Sequence, residues 1–195
     1  MKRQQVIGVI AIVAATVGLL IYFLSTGGSA PVGTFEDPAG DVEVGAGEDA
    51  PTETDLADIL HAEVRAEAEE LVFEAQLGES IPRKLKGQGI DLGWRLFEGG
   101  DQTWTLSFNL DIGPNASLVS PTTNYGSGTF DDTLPGDFEL QGDTLVIRIR
   151  PDDVPNFPTE FTWRLTTALD GAPGTAGSAL AEDQAPDTGA GQYRP

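Results

Sequence analysis

The chain has 195 residues, of which 31 are acidic and 11 basic, with one histidine and no cysteine. So acidic a surface argues against nucleic acid and anionic lipid headgroups as partners. Without cysteine there is no disulfide framework, no thiol nucleophile and no lipid attachment through a cysteine, so the fold must rest on its core.

The first predicted element is Val6 to Leu24, VIGVIAIVAATVGLLIYFL, an uncharged apolar run of 19 residues. As a helix it spans roughly 28 Å, close to the hydrocarbon thickness of a bilayer. Lys2 and Arg3 precede it, and the next basic residue is Arg65. That asymmetry predicts a transmembrane helix with its N-terminus inside and the rest of the chain extracytoplasmic. A secreted protein, cut after a signal peptide near Gly28-Ser29-Ala30, is the alternative. The length of the run, beyond the usual h-region of about 7–15 residues, favours a retained anchor. Either way the remainder, with nine basic against 31 acidic residues, lies across the membrane.

Residues 25–33 read as a Gly/Ser spacer, 34–189 as one domain and 190–195 as a tail. Thr34 to Glu36 is a short strand running into the turn Asp37-Pro38-Ala39-Gly40-Asp41, and Val42 to Thr54 is an acidic, Gly-rich loop. Asp55 to Leu77 is ambiguous. Leu56, Leu60 and Val64 repeat at helical spacing amid Ala and Glu. The same segment also divides into two alternating strands, Leu60 to Ala66 and Leu71 to Leu77. Beyond it the period of two is clear. Ile90, Leu92, Trp94 and Leu96 alternate into a Gly-Gly-Asp turn, and Trp104, Leu106, Phe108 and Leu110 alternate back. Phe138 and Leu140 pair across Gln141-Gly142-Asp143 with Leu145, Ile147 and Ile149. Phe161 to Leu169 forms a last long strand, after which the chain is rich in Gly, Ala and Pro. Short strands punctuated by Gly and Pro predict an all-β, antiparallel β-sandwich. Trp94, Trp104 and Trp163 fall on the apolar parity of their strands and belong to its core.

The order of these features resembles secreted prokaryotic β-sandwich domains related to family-nine carbohydrate-binding modules and to DOMON-like domains. The resemblance is carried by Asp37-Pro38-Ala39-Gly40-Asp41, by Asp58-Ile59 leading a strand, by Trp94, by Phe161-Thr162-Trp163, and by the closing Asp183-Gln184-Ala185-Pro186-Asp187. It covers Thr34 to about Gly189 and implies that Asp55 to Leu77 is two strands. It also implies a non-catalytic binding module, of the kind attached to polysaccharide-degrading enzymes or surface proteins.

Three kinds of site are weighed. Asp37, Asp41, Asp183 and Asp187 come from the two ends of the domain. If those ends lie side by side, the four carboxylates would repel unless protonated or bridged by a hard cation such as calcium. The simpler reading, preferred on the sequence alone, is that Asp37 and Asp41 serve the turn by accepting local backbone N–H bonds. For a glycan, Tyr125, Phe130 and Phe97 are the aromatic residues left over for a sugar platform. For catalysis there is little: His61 reads as a plain surface histidine, and zinc spacings, phosphate loops and nucleophile elbows are absent from the sequence. Asn115-Ala116-Ser117 matches a glycosylation acceptor. The expected function is a membrane-anchored extracytoplasmic binding or display module, for which a structural calcium and a glycan are the candidate ligands. The alternatives are an interaction subunit of an envelope or membrane complex and, third, a small carboxylate-dependent hydrolase.

Overall fold

The computed structural model describes residues 33–44, 55–82, 89–110, 114–120, 124–125, 134–170, 181–187 and 189–195. All belong to one compact unit, Val32–Pro195. The predicted anchor and its spacer up to Pro31 lie outside the described residues, as does most of the acidic loop before Asp55.

In chain order the strands are β1 (Thr34–Glu36), β2 (Glu43–Val44), β3 (Ile59–Glu67), β4 (Glu70–Leu77), β5 (Gly89–Glu98), β6 (Asp101–Asn109), β7 (Asn115–Val119), β8 (Asn124–Tyr125), β9 (Gly136–Gln141), β10 (Thr144–Ile149), β11 (Phe161–Asp170), β12 (Ala181–Ala185) and β13 (Gly191–Tyr193). They form two antiparallel sheets. The smaller has the order β1-β3-β4-β10-β9. The larger runs β2-β12-β11-β5-β6-β7-β8, with β13 also paired to β11.

The two sheets pack face to face through the alternation visible in the sequence. Val64, Phe73, Ala75, Leu145 and Ile147 from the small sheet are fully buried, as are Leu92, Trp94, Leu96, Leu106 and Trp163 from the large one. Aromatic rings cross the interface edge to face, as such rings prefer. Phe73 meets Trp94 at 5.9 Å, Phe35 meets Trp163 at 5.4 Å and Phe138 meets Phe108 at 5.6 Å between ring centres.

The ambiguous segment is two strands. β3 and β4 pair from Ile59↔Leu77 to Glu67↔Glu70, and Ala68 takes a φ of +52° in the turn between them. Local helix propensity loses here because the hairpin buries Val64 and Phe73, whose side chains contribute about 1.5–3 kcal/mol each when shielded from water. On the outer face Arg65 is ringed by Glu63, Glu67 and Glu74 at 3.0, 2.8 and 2.7 Å, and His61 pairs with Glu36 at 3.1 Å.

Two boundaries need correction. The loop expected from Val42 contains β2, which pairs Glu43↔Glu182 and Val44↔Ala181 at the sheet edge. The tail expected at 190–195 is structured: β13 pairs with the start of β11 through Phe161↔Tyr193 and Trp163↔Gly191, and Tyr193 is buried against Phe161. Gly191 lies flat on the Trp163 indole, where a Cβ would collide with the ring. Aromatic packing, not sequence period, fixes this last strand.

Candidate metal centre

Asp37 follows β1, which is held on β3 in the register Thr34↔Glu63 to Glu36↔His61. The Asp37 amide continues that pairing by donating to the Leu60 carbonyl at 3.1 Å. The chain then turns through Pro38, Ala39 and Gly40. Gly40 adopts φ +83°, a region glycine enters without steric cost, and its amide donates to both carboxylate oxygens of Asp58 at 3.1 and 3.0 Å. Asp58 is buried, so it acts as the post on which the Asp37–Asp41 loop is wound.

The other half comes from the end of the chain. β12 pairs with β11 and sets Asp183 opposite Thr167. Asp183 is buried on the inner face of the large sheet. Its Oδ2 accepts the Ile59 amide at 2.7 Å and its Oδ1 accepts the Gln184 amide at 2.7 Å. The Thr167 hydroxyl donates to the Ala57 carbonyl. Both contacts fasten Ala57-Asp58-Ile59 across the gap between the sheets. The Gln184 side chain donates to the Pro186 carbonyl at 3.2 Å and holds the turn that carries Asp187.

Asp37, Asp41, Asp183 and Asp187 are thereby brought together. One carboxylate oxygen from each lies within 4.8 Å of all the others. Asp41 and Asp187 are exposed, Asp37 is half-buried and Asp183 is buried. The Oδ2 of Asp37 is shielded from solvent and has no hydrogen-bond partner.

These carboxylates crowd one another. Burial, then the neighbouring charges of Asp183, Asp187, Asp41 and Asp58, push the Asp37 carboxyl up to about 7. Burial also raises Asp183 against the opposing pull of the Ile59 and Gln184 amides, and raises Asp58 against that of Gly40.

The donor set fits a hard cation. Calcium takes six to eight oxygens at about 2.3–2.6 Å, so opposite oxygens of its shell are roughly 5 Å apart, which accommodates the cluster. Magnesium's octahedron, at about 2.0–2.1 Å, is tighter. Asp183 offers only the lone pairs its two amide bonds leave free, whereas Asp37 offers an oxygen with no other partner.

The remaining expected site residues are Phe97, Tyr125 and Phe130. Phe97 stands half-buried on the outer face of the large sheet, opposite Thr162. Tyr125 is in β8, three strands away, in register with Leu118, and its side chain lies outside the described residues. Phe130 also lies outside them. Trp94, Trp104 and Trp163 are all buried, as their parity predicts. Asp58 and Thr167, which fasten the centre, are not singled out as site residues by sequence reasoning. Asp58 opens a strand among 31 acidic residues, and Thr167 reads as one more strand threonine.

No protein-family model matches this chain, and no curated protein matches it.

Proposed function

We propose that this is a membrane-anchored, extracytoplasmic, non-catalytic binding or display module whose sandwich is closed at one edge by a bound calcium ion. The single observation that carries the cation is the meeting of four carboxylates from the two ends of the unit within 4.8 Å of one another. Such a cluster is costly when empty and ionised, and stable when bridged by a divalent ion. The apolar run Val6 to Leu24 and the acidic, cysteine-free remainder support the placement. The resemblance to carbohydrate-binding modules agrees with this role, though no aromatic sugar platform supports a glycan ligand among the described side chains.

Calorimetric titration of the full chain in detergent with calcium tests the proposal. One ion per chain is expected, with binding weakened at least about tenfold in Asp37→Asn, the loss of one charged ligand. Absence of binding at neutral pH counts against it.

The hydrolase reading has one observation in its favour: a carboxyl held near 7 beside an ionised neighbour has the form of a general acid. The spacing favours the ion. Inverting glycosidases hold two carboxyls about 6.5–9.5 Å apart to admit a water and retaining ones hold two about 5–5.5 Å apart, whereas here four gather within 4.8 Å of one another.

A further inference from the structure

Outside the metal centre, the outer face of the large sheet carries two cross-strand pairs of like charge. Glu43 of β2 is in register with Glu182 of β12. Arg95 of β5 is in register with Arg164 of β11. Like charges directly opposite one another destabilise a sheet. None of the four makes an ion pair with a described residue; Arg164 donates only to the Gly189 carbonyl, at 2.6 Å. In so acidic a chain, two adjacent arginines without a carboxylate partner among the described residues are a costly arrangement.

Glu43, Glu182 and Arg95 face a common space, with Arg164 beside Arg95 on β11. Ala168 of β11 is in register with Glu182, so the acidic pair and the arginine pair stand four residues apart along the sheet, roughly 13 Å. Between them the floor is low: Thr166 is flanked by Gly93 on one side and Gln184 on the other. A cavity of about 430 Å³ lies there, lined by Glu43, Glu182, Thr166, Gln184 and Arg95 and also by Asp41, Asp183 and Asp187 of the metal centre.

We infer that this groove binds an elongated zwitterion, a short peptide with free termini. Its ammonium lies between Glu43 and Glu182, and its carboxylate lies on Arg95 with Arg164 beside it. Each like-charge pair is then relieved by the opposite charge it lacks, through charge-assisted hydrogen bonds. A free α-amino acid is too short to reach both ends. A polyanion is turned away by the acidic end, and a polycation by the arginines. The assignment rests on the calcium reading in that the ion takes up the charge of Asp41, Asp183 and Asp187, which line the same cavity.

The test is calorimetric titration of the full chain in detergent with trialanine, its N-acetylated form, its C-amidated form and free alanine, each in calcium and in chelator. Trialanine is expected to bind once per chain, and blocking either terminus to weaken it about tenfold, the size of one charge-assisted contact. Arg95→Gln should bind free and C-amidated peptide alike, and Glu182→Gln should bind free and N-acetylated peptide alike. The inference is overturned if the blocked peptides bind as tightly as the free one, or if trialanine produces no heat at millimolar concentration. The blocked peptides decide the matter even if a variant fails to fold. Peptide binding without any calcium response defeats the cation reading alone, and a calcium response without peptide binding defeats this inference alone.

Discussion

The amide of Ile59 donates to Oδ2 of Asp183 at 2.7 Å, although the two residues are 124 positions apart. Ile59 opens the second strand of the small sheet and Asp183 lies in the penultimate strand of the large one. The bond ties the two sheets at the edge where the four carboxylates meet. It makes Asp183 a structural acceptor as well as a proposed ligand, and a second variant at Asp41 is needed to tell the two roles apart.

Asp183→Ala leaves the buried Ile59 amide without its acceptor, a loss of about 1–3 kcal/mol. Urea unfolding in chelator should show that loss, and added calcium should no longer recover it. Asp41→Asn removes a charge from the same cluster at an exposed position. In chelator it should be as stable as the wild type or more stable, because like-charge repulsion falls, yet its gain from calcium should shrink.

Stability should depend on pH in an unusual direction. A carboxyl raised from 3.8 to about 7 binds its proton more tightly in the folded chain than in the unfolded one. Asp58 and Asp183 are shifted the same way. Without a cation, these groups contribute most below the unfolded value and less as pH rises, the Asp37 contribution being lost as pH passes about 7. Melting in chelator from pH 4 to 8 should show a decline that Asp37→Asn reduces. Calcium competes with the proton, so its affinity should weaken as pH drops below 7.

The C-terminal strand should be structural. Gly191→Ala places a methyl group into the Trp163 indole, and overpacking of this kind costs about 1–3 kcal/mol. Deleting residues 190–195 uncovers Phe161 and Trp163 on the same side. Both variants should lower the urea midpoint, whereas Gly99→Ala, at an open turn, should be limited to the backbone strain of its φ of +61°.

The sheets were legible where apolar side chains are large. Ile90, Leu92, Trp94 and Leu96 announce an inner face, and so do Trp104, Leu106 and Phe108, all of which are buried. β12 was hidden because its inward positions are Ala181, Asp183 and Ala185, which carry little hydrophobic signal. β13 was hidden because it is three residues long and leans on a glycine. The Asp55 to Leu77 segment was ambiguous because Ala and Glu favour helix locally, while only the opposite sheet rewards the buried strand face. The four carboxylates were legible as a set from their place at the two ends of the fold. The supports, Asp58 beneath Gly40 and Thr167 on Ala57, depend on long-range contacts that leave no local pattern.

The most direct test is the melting midpoint of the full chain at neutral pH in calcium and in chelator, with sodium matching the ionic strength. At calcium about a hundredfold above its dissociation constant, the midpoint should rise by about 5–10 °C in the wild type and by much less in Asp37→Asn. An identical wild-type midpoint under the two conditions would contradict the claim that a cation closes this fold.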